Sequence, residues 1–391
     1  MNVREFIEKK KKMQEYLLEF IEREDEEEEN FLNFQDFCDY QNVTMNKHEM
    51  KALLYLIIKI ADNHHRTNNF FAKIEQILIK IKEAIMKFFS NSEIFKIFKS
   101  NKRLLLFLIE EKMITIDENI HSDMMQNKMA ENYYSEYFSL EIKQMEEEEE
   151  INEFSKEEIE IFKEKRKMGE NDDEVCEMIR KDLIEEFITY VKKTNSSIKK
   201  FIKPSIFETN SFLLKNQNVT LIEYAAFFGS IQIFRYLYKN GCKLTESLWL
   251  YAIHGDDAEI ISILEENEIQ PPDDSFDECI KESIKCHHNH IVNYFLNNYM
   301  NGNHEKIDFK QNFNDNIASY FFHYYNFSYF PNECFLNKNV FYVFCYACKY
   351  DYYPIVKCLI EANRIDVNEK IIQTLIFLYN SNIIICNEIL I

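Results

Sequence analysis

Apolar residues recur at steps of three and four along much of the chain, which is the spacing of one face of an α-helix. In residues 69–89 the stripe consists of Phe71, Ile74, Leu78, Ile81, Ile85 and Phe88. Similar stripes in residues 48–62 and 92–115 predict further helices, with Ser92 as an N-cap. The run LLLFLI at 104–109 is far shorter than a membrane span and predicts a buried helix segment.

Two acidic runs interrupt this pattern. We interpret residues 22–30 as a solvated loop or helix end, and residues 145–167 as part of an exposed connector. The sequence therefore predicts a helical N-terminal domain over residues 1–145, an acidic connector over 146–169 and a second domain over 170–391.

The second domain contains similar segments, each with two short apolar stretches around a turn. These are TLIEYAAFFGSIQIFRYLYKNG (220–241), ESLWLYAIHGDDAEIISILEEN (246–267), CIKESIKCHHNHIVNYFLNN (279–298) and VFCYACKYDYYPIVKCLIEA (343–362). Their anchor isoleucines at 233, 260, 291 and 355 lie 27, 31 and 64 residues apart, and the last step equals two periods of 32. We expect a weak copy at 316–330, a first pair at 173–195 and a last one at 371–391, giving about six or seven units.

These segments resemble ankyrin repeats. Thr220 opens the first helix, Ala225 and Ala226 are its small packing residues, and Gly229 makes the turn. In register, the turn position is Gly255 in the next unit and His287 in the one after. The strings KSNKRLLLFLIEEKMIT, RKDLIEEFITYV, IKPSIFETNSFLLKN and SLWLYAIHGDDAEII are similar to those of the large expanded ankyrin-repeat family of trichomonad-type protists.

The resemblance covers about residues 92–115 and 170–300. It implies an all-α fold in which a helical N-terminal region precedes an ankyrin-repeat α-solenoid. It also implies non-enzymatic protein binding through the concave face, as in a scaffold. The residues just before each turn would contact the partner: Phe227, Phe228, Ile253, His254, Lys285 and Cys286, with Cys348 and Lys349 in the last copy.

Trp249 is the only tryptophan of the chain. It has two interpretations that the sequence leaves open. It could fill the core between units, or it could be an aromatic anchor for a partner. We include it among the candidate partner-binding residues.

Composition narrows the classes of partner. The chain has 46 Lys and Arg against 67 Asp and Glu, a net charge of −21, which argues against nucleic acid and anionic membranes and favours a basic protein partner. Only 5 glycines and 5 prolines are present, which disfavours phosphate-binding loops. The charged N-terminus lacks a signal-peptide pattern, and the ten scattered cysteines favour reduced thiols, so we predict a cytoplasmic protein.

Four residues that could bind a metal or act in catalysis lie within five positions: Cys286, His287, His288 and His290. A zinc site usually takes two pairs of ligands, and the sequence offers only one pair here, which disfavours zinc. We therefore predict that the cluster is a structural junction between two helices. A metal-binding or enzymatic role for this cluster remains the alternative. The Cys345–Cys348 pair is predicted to be two core cysteines, and no cofactor is expected.

A second alternative concerns the C-terminal segment IIICNEILI, residues 383–391. Repeat arrays usually end in a polar capping unit. This segment is apolar, so end-to-end self-association is the rival to partner binding.

Overall fold

The computed structural model describes residues 3–23, 25–67, 69–125, 134–145, 155–216, 218–299, 315–329, 340–350 and 352–361. In these ranges the regular structure is α-helical, with short 3-10 helices and no strand. One isolated bridge joins Phe201 to Thr220. The all-α class predicted from the periodicity is confirmed.

The first three helices are α1 (Val3–Glu22), α2 (Glu27–Tyr40) and α3 (Lys47–Asn63). They are followed by α4 (Phe70–Lys80), α5 (Lys82–Phe88), α6 (Asn91–Phe98), α7 (Lys102–Glu110), α8 (Glu118–Met125), α9 (Ser139–Met145) and α10 (Lys156–Met168). The next are α11 (Glu174–Arg180), α12 (Ile184–Thr194), α13 (Ser211–Lys215), α14 (Leu221–Phe227), α15 (Ile231–Lys239), α16 (Leu248–Gly255) and α17 (Ala258–Glu266). The last are α18 (Asp277–Lys285), α19 (Asn289–Asn298), α20 (Asp315–Tyr324), α21 (Val340–Lys349) and α22 (Tyr353–Glu361).

The chain divides into two compact units. The terminal unit comprises Met1–Lys59 and Cys279–Ile391, and the central unit comprises Ile60–Glu278. These limits do not coincide with the domain boundaries predicted at residues 145 and 169.

The acidic connector is more firmly packed than predicted where the structure describes it. Its helix α10 packs against α7, and the Arg166 side chain is buried. The Arg166 guanidinium pairs with Glu141 at 2.7 Å, and the Tyr137 hydroxyl donates to the Arg166 carbonyl. Most residues of α10 are nevertheless exposed, as expected of the connector, and the buried Arg166 ties the helix to the central unit.

Side-chain caps determine where several helices begin. Capping boxes open α6 with Ser90 and Glu93, α10 with Ser155 and Glu158, and α14 with Thr220 and Glu223. The predicted cap Ser92 is wrong by two residues, since it lies inside the first turn of α6.

The long apolar stripe of residues 69–89 forms two helices rather than one. Its backbone leaves helical geometry at Ile81, which has φ −101° and ψ 7° and is buried between α4 and α5. The predicted buried segment in α7 is confirmed, because Leu104–Leu108 all lie in the core.

Three helix pairs follow one another in the second half of the central unit: α11 with α12, α14 with α15, and α16 with α17. The first helices of the pairs pack against one another in series, and so do the second helices. Ala225, Ala226 and Ala252 are fully buried where the first helices approach, and the anchors Ile233 and Ile260 are fully buried in the second helices.

A residue in the left-handed conformation makes the turn between the helices of each pair. Asp182, Gly229 and Asp256 have the left-handed conformation, with φ of 48°, 63° and 52°. After Asp182 and Gly229, the next amide donates to the carbonyl five residues earlier, at 2.9 Å, as in a Schellman motif. The predicted turn residue Gly255 is therefore wrong by one position. It ends α16, and a Cβ atom on it would lie 2.0 Å from the Ala226 carbonyl oxygen.

Successive pairs are also joined by polar contacts. The Asp182 carboxylate accepts from the amides of Gln232 and Ile233 at 3.0 and 2.9 Å, and so caps helix α15 of the next pair. Arg180 donates to the Tyr224 hydroxyl at 2.9 Å, joining α11 to α14.

In the terminal unit, α1 packs against α2, α22 and the 3-10 turn at Phe327–Tyr329. The Gln14 amide nitrogen donates to the Asn326 side-chain oxygen at 3.1 Å, while its oxygen accepts from the Phe327 amide at 2.7 Å. Asn326 donates in turn to the Ile284 carbonyl at 2.9 Å. Residues more than 300 positions apart thus share one buried polar cluster.

The terminal unit also contains a buried ion pair and a group of stacked tyrosines. Lys10 lies 2.6 Å from Glu49. Burial lowers the pKa of Lys10 in spite of that carboxylate. The Tyr325 ring stacks on Tyr352 at 4.6 Å and on Tyr55 at 5.4 Å.

The later repeat copies are described only in part. The predicted weak copy consists of α20, a left-handed Tyr325 and the 3-10 helix Phe327–Tyr329. The predicted last pair at 371–391 lies outside the described residues, and so does the segment 383–391 assigned to self-association.

Candidate partner-binding surface

Most of the candidate contact residues in the central unit face the interior. The Phe227 ring lies 4.9 Å from the His254 ring, and Phe212 of α13 covers both, at 5.8 Å and 4.3 Å. Ile253 is fully buried, whereas Phe228 is half-buried. As placed, these side chains pack helix against helix, and their burial gives no support to direct contact with a partner.

Trp249 is 1% exposed. Its indole nitrogen donates to the Ile269 carbonyl at 2.9 Å, and its ring meets the edge of Phe276 at 5.1 Å. The structure therefore places it in the core, under the segment that follows α17. A partner could contact the indole only if that segment moved away.

The Cys286–His290 cluster forms the turn between α18 and α19. His287 has the left-handed φ of 62°, and the His288 amide donates to the Ser283 carbonyl at 3.0 Å, so the turn resembles those of the central unit. Cys286, His287 and His288 are buried, whereas His290 is exposed. Among the residues that the structure describes, no three of these four bring ligand atoms within 4.8 Å of one another.

Lys285 is half-buried at the end of α18. Its ammonium group lies 2.7 Å from the Glu282 carboxylate. Burial opposes its charge, but Glu282, Cys286 and Tyr324 together outweigh burial and raise the pKa of Lys285. Cys345 and Cys348 are buried inside α21, as predicted for core cysteines.

A buried polar centre in the central unit was not anticipated from the sequence. Arg180 lies 2.7 Å from Glu170 and also donates to the Tyr224 hydroxyl, while Arg66 donates to the Thr209 hydroxyl at 3.2 Å. Glu208 Oε1 accepts from the amides of Thr209 and Asn210, and its Oε2 has no hydrogen-bond partner among the described residues.

This centre perturbs the groups that form it. Burial raises the pKa of Glu208, although Arg66 and the Asn210 amide oppose the shift. Burial also raises the pKa of Tyr224 well above its ordinary value, against the effect of Arg180. The side chains come from distant parts of the chain, and their contacts hold α11 and α14 to the rest of the unit.

An apolar cleft of about 270 Å³ lies between α9, α10 and the segment before α13. Its walls include Leu140, Ile159, Phe162 and Phe207. Lys165 at its edge pairs with Asp172 at 2.8 Å, so its charge is already compensated.

An exposed, positively charged surface of the central unit lies at the end of α12 and in the segment after it. Residues 192–203 carry five lysines, and Lys192, Lys193, Lys199 and Lys203 are exposed. Phe201, among them, is 54% exposed.

In the described part of the chain, every helix is too short or too polar to span a bilayer. Comparison of the whole sequence with protein-family models, with curated proteins and with solved structures finds no match.

Proposed function

We propose that the chain is a non-enzymatic protein-recognition module in which an ankyrin-type α-solenoid follows a helical N-terminal region. The observation that carries this proposal is the series of helix pairs in the central unit. Each pair has a left-handed residue at its turn, and each packs its first and second helices on those of the next. Such serial packing is the physical basis of repeat proteins, which use extended surfaces to bind other proteins.

The distribution of polar groups supports recognition over catalysis. Arg66, Glu170, Arg180 and Tyr224 are used in contacts with one another or with neighbouring backbone inside the unit. The loops between pairs, residues 240–247 and 267–276, instead carry exposed side chains. In ankyrin-type arrays, loops at these places contact partners.

The overall charge of −21 favours basic partners through long-range attraction. Binding should then weaken as salt is added. We also propose a cytoplasmic location, supported by the thiols of Cys38, Cys176 and Cys242, which are buried and form no disulfide.

The test is photo-cross-linking in the native cell. A photoreactive amino acid replaces Thr245 or Gln270 in the loops, and Ser262 on the second helix α17 serves as the matched exposed control. We expect the loop positions to capture the same protein, and the helix position not to capture it.

Equal capture from loops and helices would contradict recognition through the loops. Conversion of a substrate by the purified chain would contradict the non-enzymatic assignment.

A further inference from the structure

The segment between Glu186 and Glu208 has an unusual charge for this chain. Residues 187–207 contain five lysines and no acidic residue. Elsewhere acidic residues predominate, since the chain has 67 of them in 391 positions. This segment is therefore a local basic region on an acidic protein.

Backbone contacts hold the basic segment in place. The Ile202 amide donates to the Val219 carbonyl at 2.8 Å, next to the bridge between Phe201 and Thr220. The Cys242 thiol donates to the Ile198 carbonyl at 3.5 Å, which brings the loop after α15 alongside. The lysines are therefore presented by an ordered surface.

The two neighbouring loops combine their charges. The Lys199 ammonium group would lie 3.8 Å from a Cβ atom on Gly241, so it projects beside the second loop. The end of α15 adds the exposed Lys239, and the loop adds the exposed Lys243. We call the surface formed by these side chains the lysine patch: Lys192, Lys193, Lys199, Lys203, Lys239 and Lys243.

The lysine patch is not neutralised by the protein itself. Within the residues that the structure describes, none of its six ammonium groups takes part in an ion pair. The positions of Lys192 and Lys193 also suit the negative end of the α12 dipole, but Lys199, Lys203 and Lys243 lie beyond that helix. A contribution to helix stability thus explains only part of the patch.

An apolar side chain stands inside this charged surface. Phe201 is 54% exposed and lies between Lys200 and Lys203 in the sequence. The Lys200 ammonium group is held 5.5 Å from the Tyr190 ring. A rim of charge around an exposed aromatic ring is the usual composition of a peptide-binding hot spot.

We propose that the lysine patch binds an acidic peptide segment of a protein partner, with an apolar side chain of that segment against Phe201. This inference rests on the proposed function and adds the chemical class of one ligand. An acidic peptide is favoured over a nucleic acid because the net charge of −21 repels an extended polyanion, whereas a short segment contacts the patch alone. Basic partners would bind elsewhere on the chain.

The probe is a fluorescein-labelled oligoglutamate peptide with a central phenylalanine, and fluorescence anisotropy measures its binding to the full chain. A glutamine version of the peptide and a single-stranded RNA oligonucleotide are compared with it. We expect the glutamate peptide to bind more tightly than either, with affinity falling about tenfold when salt is raised well above physiological strength.

Charge reversal locates the site. The variants Lys192→Glu/Lys193→Glu and Lys199→Glu/Lys203→Glu should each weaken binding at least about tenfold. The double variant Lys96→Glu/Lys99→Glu makes the same change of charge at exposed positions of α6 and its end, and should retain the affinity. Phe201→Ser should weaken the phenylalanine peptide but not one with alanine at its centre. Circular dichroism confirms that all variants fold.

Equal losses in the patch and control variants would overturn the proposal, because net charge would then explain binding. Tighter binding of the RNA or equal binding of the glutamine peptide would also overturn it. If the glutamate peptide does not bind to the lysine patch but the loop positions capture a protein, the proposed function stands and the partner contacts a different surface. If the cross-linking fails and the peptide binds, the patch acts outside that function.

Discussion

Glu208 is a carboxyl group enclosed on all sides, with one oxygen hydrogen-bonded to two backbone amides and the other without a hydrogen-bond partner among the described residues. Burial raises its pKa above the ordinary value of 4.5. At a pH between the ordinary pKa and the raised pKa of the folded chain, Glu208 is protonated in the folded chain and ionised in the unfolded chain. The free energy of unfolding must therefore fall as the pH rises through this range, by at most about 1.4 kcal/mol per pH unit.

Replacing Glu208 with glutamine should remove this dependence, because the amide is neutral at every pH and its oxygen can still accept from Thr209 and Asn210. Denaturant titrations at a series of pH values upward from 4.5, the ordinary pKa of the group, should show the wild type losing stability relative to Glu208→Gln. The exposed Glu246→Gln variant is the control and should follow the wild type. Parallel curves for Glu208→Gln and wild type would show that Glu208 is ionised in the folded chain.

Gly255 is required by close approach rather than by backbone conformation. A Cβ atom there would lie 2.0 Å from the Ala226 carbonyl oxygen, which belongs to rigid helix backbone. Gly255→Ala should lower the free energy of unfolding by about 3 kcal/mol. Gly241→Ala, at φ 87° with only the Lys199 ammonium group near the added Cβ atom, at 3.8 Å, should cost about 1 kcal/mol for the left-handed backbone. Equal losses in denaturant titrations would mean that α14 and α16 can move apart.

Local sequence could not show which candidate residues are buried. Phe227 and His254 occupy positions that resemble contact residues, but Phe212 of the short helix α13 covers both rings. Local sequence could not predict the buried polar centre either, because Arg66 and Thr209 are in contact although more than a hundred residues separate them in the sequence. The unusual charge of residues 187–207, by contrast, is visible in the sequence itself.

At the scale of elements, the sequence predicted more than at the scale of sites. Period-3.6 stripes identified the helices because each must bury one face, and the pairs at 173–195 and 220–241 occur as expected. The exact first and last residues of the helices depend on hydrogen bonds that the apolar pattern does not reveal, such as the cap at Ser90. The break at Ile81 follows no glycine or proline, so only the packing of α4 and α5 locates it.

The cap that Asp182 supplies to α15 gives a prediction about one helix. Asp182→Ala removes both acceptors and should lower the free energy of unfolding by about 2 kcal/mol. Asp182→Asn should cost less, since asparagine tolerates the left-handed conformation and keeps one acceptor. Hydrogen exchange should accelerate at the amides of Gln232 and Ile233 in the alanine variant. Unchanged exchange there would mean that other groups cap the helix.

At the scale of the whole molecule, helices α1 and α2 and the described residues after Cys279 belong to one unit. Periodicity cannot reveal this, because the contacts between Gln14 and Asn326 join distant elements that belong to no common repeat. The acidic runs suggested boundaries at residues 145 and 169, but acidity reports exposure along the chain rather than which segments pack together. The compact units instead divide inside helices α3 and α18.

This organisation predicts how fragments behave. Residues 60–278 should fold alone, with helical circular dichroism and a cooperative thermal transition. Residues 170–391, the domain suggested by the repeats, should not fold cooperatively, because residues 279–391 lack α1 and α2. Adding residues 1–59 as a separate peptide should not rescue residues 170–391, which also lack residues 60–169 of the central unit. A cooperative transition in the 170–391 fragment would support the repeat-based domain boundary.

The single indole of the chain has a practical consequence. Trp249 is sealed in the central unit beside Phe276. Its fluorescence emission will shift to the red when the central unit unfolds and will not respond to unfolding of the terminal unit alone. Recorded together with an ellipticity trace, to which all helices contribute, this natural chromophore shows whether the halves melt in one event or in two.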